Sequence, residues 1–377
     1  MNTDNASLYV KWLKQEVAPA LGCTEPVAIS FTAAYAAQYL DQPCTKISGF
    51  ISANLYKNAM GVTIPGTTVC GVALAAAIGA FGGNPQKGLK TLEDITPLHV
   101  EMAQQLIANN AVDIAVKETP DFIHLDLTLS AGENICRVVV KGTHTNVVEL
   151  YINGQPQPLS AKQNASARHE TLPTFSLQQA YEFINSADFN DIRFILEAAR
   201  LNSALAAEGK TKKYGLNING TFADAVKNGL MSNDLLSKVI INTVAASDAR
   251  MGGAPVVAYT RLSALCAAST AAMGAAAGMA WLFTRDINTI NTAIINMVSD
   301  ITGMICDGAS NSCAMKVSSV VSSAFKAVLM AMQNSCAGAN DGIVCADVEQ
   351  TINNLCRLVI KPMALTDKEI ISIMVAK

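Results

Sequence analysis

Residues 123–152 read IHLDLTLSAGENICRVVVKGTHTNVVELYI and decide the fold of the first half of the chain. Their apolar side chains alternate with polar ones in short runs, and Gly132 and Gly154 fall in turns next to these runs. A period of two is typical of strands that bury one face of a sheet. We therefore predict a mostly antiparallel sheet, to which residues 112–116 and 45–56 add strands.

The chain takes on a helical period after residue 176. Predicted helices there cover 176–185, 190–207, 221–229, 234–248, 262–283, 286–303, 313–333, 346–360 and 366–375. Helices at 6–18 and 26–39 open the chain, and helices near 68–80 and 98–109 accompany the strands. The predicted fold class is α+β, with a large all-α helical domain that has Ala/Gly-rich central helices, and a smaller α+β domain with a mostly antiparallel sheet.

The domain division follows from these patterns. Residues 1–42 and 174–377 are assigned to the helical domain, on the guess that the N-terminal helices pack there. Residues 43–155 form an inserted α+β domain. Residues 156–173, rich in Gln, Ser, Asn, Ala and Pro, are predicted to be a linker.

The composition and the N-terminal sequence indicate which binding partners and which cellular compartment to expect for this protein. Half of the 377 residues are hydrophobic, 15% are charged, and the net charge is −3. No basic run favours nucleic acid. The N-terminus lacks the pattern of a secretory signal, so we expect a cytoplasmic protein whose ten cysteines are reduced. Most of them are expected to be small buried side chains.

Residues 262–283 could form either a membrane span or a buried helix of a soluble protein. From Leu262 to Phe283 no residue is charged, which is long enough to cross a bilayer. Ala, Gly, Ser and Thr dominate, however, and these insert weakly. We therefore expect no membrane contact, and a soluble helix in which Gly274 and Gly278 allow close packing. Apolar helices of this kind are loosely consistent with a homo-oligomer.

Three cysteines could hold a metal. Cys306 and Cys313 flank a loop of Asp, Gly, Ala, Ser and Asn, and Cys266 lies on the Ala-rich helix that this loop could reach. Three thiolates can hold three irons of a [4Fe–4S] cluster and leave the fourth open. An open metal position can bind substrate and act as a Lewis acid. Spacing alone leaves three buried thiols as the alternative.

Cys23 and Glu25 form the second candidate. Cys23 stands just before a predicted helix, where the helix dipole favours a thiolate. It could serve as an activated thiol or as a further cluster ligand, and Glu25 could carry protons. The alternative is a helix start with an acid that suits the dipole.

Other polar residues are weaker candidates. Lys57, between Asn54 and Asn58, could grip a substrate carboxylate, or the three could form a polar loop. His144 could shuttle protons or make a structural hydrogen bond.

Asp248 and Arg250 could belong to a site loop or to a helix cap with a local ion pair.

Sequence motifs of phosphate loops, dinucleotide-binding turns, zinc proteases and α/β-hydrolases do not occur.

These segments together resemble the L-cysteine desulfidase family, also catalogued as UPF0597, which is related to the α-domain of iron–sulfur L-serine dehydratases. The similar stretches, in order, are GCTEP (22–26), KNAMGV (57–62), IPGT (64–67), SDARMGG (247–253), RLSALC (261–266) and GMICDGA (303–309). They span nearly the whole chain.

The resemblance implies an oxygen-sensitive [4Fe–4S] enzyme that makes pyruvate, ammonia and hydrogen sulfide from L-cysteine. By match to the dehydratase pattern, Cys266, Cys306 and Cys313 would be the ligands, although that pattern has a longer gap before its last cysteine. Cys23 matches a desulfidase cysteine that is either a ligand or a base. The small amino-acid substrate would meet Asn54, Asn58, His144 and Arg250, with Cys23, Lys57 and Glu25 as catalytic groups.

One departure from the family is large. After SDARMGG, relatives carry a Gly-Ser-Asn-rich loop and a further helix, a few dozen residues in all. Here residue 254 is followed by PVVAYT and then Arg261. Either the segment is deleted, which would leave the active site incomplete, or the sequence omits it, which the close match of both flanks favours.

The expected reaction is removal of the α-proton by Cys23 or Lys57 and departure of the β-thiolate with help from iron. L-Serine dehydration by the same mechanism is an alternative. A pyridoxal-phosphate lyase and a non-enzymatic amino-acid-binding protein with a degenerate site are the rivals.

Overall fold

The computed structural model describes residues 3–159, 176–261, 267–360 and 362–376. The predicted linker falls almost wholly outside these residues, and so does Cys266. Within the described ranges the fold is α+β, as the sequence predicts: helices dominate, and a smaller sheet is mostly antiparallel.

The first half of the chain contains the sheet. Its helices are α1 (Thr3–Glu16), α2 (Thr24–Ala37), α3 (Ala53–Ala59), α4 (Val72–Gly82) and α5 (Pro97–Ala108), with a 3-10 helix at Pro85–Lys90. Its strands are β1 (Val17–Leu21), β2 (Lys46–Ser52), β3 (Val112–Lys117), β4 (His124–Ala131), β5 (Asn134–Lys141), β6 (Val147–Ile152) and β7 (Gln155–Pro156).

Six of these strands form one sheet in the described residues, in the order β3-β2-β4-β5-β6-β7. Only the β2–β3 pair is parallel, because a helical crossover joins those two strands. The alternation at Leu125, Leu127 and Leu129 places all three side chains in the core with no exposure. The periodicity that predicts the sheet is therefore the pattern that buries its inner face.

The second half is helical. It comprises α6 (Leu177–Ser186), α7 (Phe189–Ile192), α8 (Phe194–Thr211), α9 (Ile218–Lys227), α10 (Leu235–Met251), α11 (Ala267–Thr284), α12 (Ile287–Ile301), α13 (Cys313–Met332), α14 (Val348–Ile360) and α15 (Pro362–Val375). A separate core joins α11, α12, α13 and α14. These bounds follow the predicted helices closely.

Two local predictions are wrong. Residues 53–59 form helix α3, although the predicted strand extends to residue 56. The strand instead ends at Ser52, whose extended backbone forms the N-cap of this helix. Residues 257–261 form a strand, β8, that pairs antiparallel with β1 and runs straight through the position of the missing family segment.

The N-terminal helices divide between the two halves. The ring of Tyr9 on α1 lies 5.0 Å from that of Phe183 on α6, in the helical half. Helix α2 instead shares the core of the sheet, and every residue from Thr24 to Ala36 is buried. The guess that both helices pack on the helical half is therefore wrong for α2, while the domain boundaries themselves stay a prediction.

One helix of the described residues, α13, is long and apolar enough to cross a membrane. It packs against α10, α11 and α12. Helix α11, the predicted alternative, buries Ala272, Ala276 and Ala280 on one face only. Gly274 and Gly278 lie on its exposed face, with no described atom within 4 Å of an added β-carbon, so they do not mediate close packing here.

Gly79 and Gly274 give a matched test of this packing. A β-carbon at Gly79 on α4 would lie 2.2 Å from the carbonyl oxygen of Ser30 on α2. We expect Gly79→Ala to lower the free energy of unfolding by about 2 kcal/mol or more, because the helices must separate. Gly274→Ala should raise it by about 0.5–1 kcal/mol, because alanine restricts the unfolded chain and meets open space. Urea unfolding measures both, and destabilisation by both variants would contradict the exposed placement of Gly274.

Candidate functional site

Segments from distant parts of the chain meet at one place. Three backbone contacts join them: the Thr63 N–H donates to the Met251 carbonyl (3.2 Å), the Gly66 N–H donates to the Gly253 carbonyl (2.9 Å), and Gly61 forms an isolated bridge with Ser310. Gly22 adds a fourth contact, since a β-carbon there would lie 2.4 Å from Pro65. Five of the six stretches that carry the family resemblance are therefore neighbours in space, while residues 262–266 of the sixth lie outside the described residues.

Cys23 occupies the N-cap of α2 and is buried. Its thiol donates a hydrogen bond to Oε2 of Glu25 (3.2 Å), and the Thr24 hydroxyl donates to the same oxygen (3.0 Å). Burial, and then the Glu25 charge, raise the pKa of Cys23 well above its ordinary value, although Arg250 opposes this. Burial beside Glu25 thus favours the protonated thiol, whereas the helix dipole alone favours a thiolate.

His144 lies near the same carboxylate. It comes from the turn between β5 and β6, and it is 5% exposed. Burial lowers the pKa of its ring, and the Glu25 charge partly opposes that effect. Neither ring nitrogen has a hydrogen-bond partner among the described residues. Cys23, Glu25, His144 and Arg250, which we call the inner cluster, are therefore close enough to influence one another's charge.

Lys57 lies on α3, within a second group of predicted residues. Its side chain is 3% exposed, and its ammonium donates to Oδ1 of Asp367 (2.7 Å) and to the Cys306 carbonyl (3.3 Å). Asn58 is buried on the same helix, and the buried side-chain oxygen of Asn54 accepts no hydrogen bond from the described residues. The ammonium of Lys57 is thus a donor to two acceptors, which suits anion binding better than proton abstraction.

The loop between Cys306 and Cys313 packs on α3. Gly308 has a φ of +106°, and a β-carbon there would lie 2.5 Å from the Lys57 carbonyl oxygen, so only glycine fits. Both cysteines are partly buried, and the Ser310 N–H donates to the Cys313 sulfur (3.4 Å).

The thiols of this loop have a cation beside them. Lys316 pairs with Asp307 and donates to the Ile305 carbonyl (3.0 Å). Burial acts to lower the pKa of Lys316, but Asp307, Cys306 and Cys313 together raise it above its ordinary value. A nearby ammonium favours thiolates, which are the form that binds iron.

These features fit two of the three ligands that a [4Fe–4S] cluster would need. Two thiols at the ends of one loop, an amide donor to sulfur and a neighbouring cation are the protein features that hold such clusters. Cys266, the predicted third ligand, lies outside the described residues; the residue after it begins α11, which packs on α13, the helix that Cys313 begins. Among residues 3–159, 176–261, 267–360 and 362–376, no three His, Cys, Asp or Glu side chains are grouped as metal ligands.

Asp248 has a structural contact. Its fully buried carboxylate accepts from the backbone N–H of Asn219 (2.9 Å) and from its amide (3.0 Å), at the first turn of α9. It therefore stabilises the start of that helix, as an acid near a helix N-terminus does. Arg250, two residues on, belongs to the inner cluster.

Two residues of the site carry no signal in the sequence. Asp367 lies near the end of the chain, 310 positions from the lysine that it contacts, and Lys316 lies on a helix face. Neither belongs to a motif. An isolated charged residue on a helix has the pattern of a solvent-exposed side chain, so the sequence gives no reason to select either residue.

Comparison with known proteins gives the family. A UPF0597 protein of Klebsiella pneumoniae is 84% identical to this chain and covers 100% of both chains. The chain belongs to the UPF0597 family. UPF0597 protein YhaM of Escherichia coli K12 is 41% identical over 98% of this chain and 97% of its own, and a UPF0597 protein of Dichelobacter nodosus is 40% identical over 97% and 96%.

A second match concerns chemistry. Residues 257–372 match the serine dehydratase alpha chain family. The family resemblance predicted from the motifs is thus confirmed. Membership of the UPF0597 family, together with the serine dehydratase alpha match, suggests a lyase-type enzyme with a serine-dehydratase-like function. The matched stretch contains Cys266, Cys306 and Cys313.

The relatives are longer than this chain. The alignment with the Klebsiella protein has 425 positions, 48 more than the 377 residues here. That relative therefore carries at least 48 residues with no counterpart in this chain, which agrees in size with the segment that the motifs indicate is missing between Ala258 and Tyr259.

Alkylation tests the protonation of Cys23. Because burial and Glu25 raise its pKa, we expect iodoacetamide at pH 8 to label exposed Cys70 and Cys356 and to leave Cys23 unlabelled in the folded protein. Mass spectrometry of peptides after timed labelling measures this, with urea-unfolded protein as the control. Labelling of Cys23 as fast as Cys70 would instead support an activated thiolate.

The pH dependence of stability tests His144. Its pKa is lowered in the folded state, so below about pH 6.5 the unfolded chain binds a proton that the folded chain does not. The stabilisation is complete above that pH and is lost as the pH falls, by up to about 1.4 kcal/mol per unit. His144→Gln should flatten this slope between pH 7 and pH 5 in urea unfolding. His124, whose pKa is also lowered, remains in both proteins, so an unchanged slope would contradict the placement of His144.

Proposed function

We propose that this chain is an iron–sulfur-dependent L-cysteine desulfidase that converts L-cysteine and water to pyruvate, ammonia and hydrogen sulfide. The observation that carries the proposal is the meeting of the Cys23 segment with the loop of Cys306 and Cys313 through the 61–66 segment. L-Serine dehydration is the alternative reaction at the same site. Reduced cysteines suit a cytoplasmic enzyme.

The cluster would be held by Cys266, Cys306 and Cys313. When bound, the cluster would supply Lewis-acid assistance to the departure of a β-thiol or β-hydroxyl group. Lys316 supports this assignment, because its positive charge offsets the negative charge of the thiolates of Cys306 and Cys313.

The inner cluster would move the α-proton. Cys23 becomes a base once its thiol proton passes to Glu25, 3.2 Å away, and the positive charge of Arg250 stabilises the thiolate that forms. That thiolate takes the α-proton, the Cβ–S bond breaks with its electron pair on sulfur, and the aminoacrylate formed is hydrolysed to pyruvate and ammonia. His144, buried and neutral, is suited to accept or return a proton beside Glu25.

Binding of the substrate would fall to the cationic and amide groups. The positive charge of Arg250 acts on the Cys23 thiol, and its guanidinium is suited to hold a carboxylate. Asn54, Asn58 and Lys57 line or flank the neighbouring surface of α3. Lys57 stays a predicted catalytic group, although its two hydrogen bonds favour a binding role.

The test is a turnover assay without oxygen. The protein would be reconstituted with iron and sulfide, freed of excess reagent, and given L-cysteine or L-serine. We expect pyruvate from L-cysteine that is lost in air, and at least a 100-fold loss in Cys306→Ser. The matched control is Cys356→Ser, an exposed cysteine on α14, which should keep full activity.

Other outcomes separate the rivals. Pyruvate from L-serine alone would make the chain a dehydratase. Activity without bound iron would contradict the mechanism, and a sharp absorbance band of pyridoxal phosphate would favour that cofactor.

A true deletion of the missing segment would favour a second function. A chain that lacks at least 48 residues of a close relative could retain amino-acid binding without turnover. Protein that binds neither iron nor sulfide and forms no pyruvate, yet binds an amino acid, would establish it.

A further inference from the structure

Strand β3 lies at one edge of the six-stranded sheet, where it pairs with β2 alone among the described strands. The Ile47 N–H of β2 donates to the carbonyl of Ala111 (2.8 Å), so the odd-numbered residues here direct their backbone groups toward β2. The N–H and C=O groups of Val112, Ile114 and Val116 therefore point outward. A row of such groups at a sheet edge is a template for a further strand.

The side chains of β3 suit a partner strand. Its even-numbered side chains are β-branched and half-buried: Val112, Ile114 and Val116. Its odd-numbered side chains are exposed: Asp113, Ala115 and Lys117. β-Branched residues favour strands and pack well against a neighbouring strand. The edge therefore combines partly covered apolar side chains with outward backbone groups.

The exposed charges of β3 have opposite signs, and they stand at equal intervals before and after Ala115. Lys117 places its ammonium 4.2 Å from the centre of the Phe50 ring on β2. An exposed contact of this kind is weak, so a carboxylate can replace it. The next charge along the chain, Glu118, pairs with Lys368 (3.8 Å) on α15.

One register of two antiparallel β3 strands matches these charges. With Ala115 at the centre, Ile114 faces Val116 of a second copy, and Asp113 faces Lys117 of a second copy. The outward backbone of Ile114 and Val116 makes theirs the hydrogen-bonded pairs, so the charges meet at non-hydrogen-bonded pairs, where opposite side chains are closest. A register centred one residue away on either side gives Asp113 no cation to face.

We propose that β3 forms the interface of a homodimer, in which two copies of this chain pair their edge strands antiparallel about a twofold axis at Ala115. The interface is isologous, so each Asp113 meets a Lys117 and each Lys117 meets an Asp113. It joins the two sheets into one, and it uses the outward backbone groups of both edges. It contains none of the residues assigned to the reaction, and it therefore goes beyond the proposed function and does not depend on it.

Sedimentation velocity of the full chain over a range of concentrations tests the interface. We expect a reversible monomer–dimer equilibrium that weakens with added salt, because salt screens exposed ion pairs. A protein that stays monomeric at every concentration would overturn the proposal.

Two charge reversals test the register. Asp113→Lys places a lysine opposite Lys117, and Lys117→Asp places an aspartate opposite Asp113, so like charges face each other in either dimer. We expect each variant alone to dimerise at least tenfold more weakly than the natural protein. Glu133→Lys, a matched change in the exposed turn between β4 and β5, should leave the dimer affinity within about twofold.

Mixing the two variants separates a changed interface from a misfolded chain. In the mixed dimer every facing pair again has opposite charges, so the mixture should regain the dimer that neither variant forms well alone. The double variant Asp113→Lys/Lys117→Asp should regain it by itself for the same reason. Undiminished dimerisation of either single variant, or a mixture that stays monomeric although both variants keep the natural melting temperature, would contradict this interface.

Discussion

Complete burial of helix α2 is the constraint on which the site depends. Residues Thr24 to Ala36 have no solvent-facing side, because α4 packs on one flank and the sheet on another. The Ser30 hydroxyl donates to the Ala75 carbonyl of α4 (2.7 Å), and Gly79 lets the two backbones approach. A helix enclosed in this way cannot rotate or slide without opening the core. Cys23 and Glu25, at its first turn, are therefore held in place by the packing of the whole sheet.

Burial also sets the chemistry of the charged groups. A carboxylate or an ammonium removed from water needs a partner, and the structure gives Glu25 a thiol and a hydroxyl and gives Lys57 a carboxylate. These partners act in different ways. The thiol and hydroxyl offset the charge of Glu25 by hydrogen bonding, whereas the Asp367 carboxylate offsets the charge of Lys57 directly.

The serine dehydratase alpha match and the residues that only the longer relatives carry concern different parts of the candidate site. The serine dehydratase alpha match covers residues 257–372, and so the predicted cluster ligands and α15. Cys23, Glu25, Lys57 and His144 lie outside that stretch, in the part that contains the sheet. The two halves are joined through β1 and β8, and β8 spans the place where relatives carry further residues.

The sequence by itself determined the type and order of the secondary elements. Alternation at Leu125, Leu127 and Leu129 predicts β4, and the helical period after residue 176 predicts the helices there, because hydrogen bonding and side-chain direction repeat over a few residues. The motifs also determined the family. Only the tertiary structure decided that α2 belongs to the sheet core, that burial beside Glu25 raises the pKa of Cys23, and that Asp367 meets Lys57 across 310 positions. Burial and charge pairing are set by contacts between distant segments, and no local period in the sequence records them.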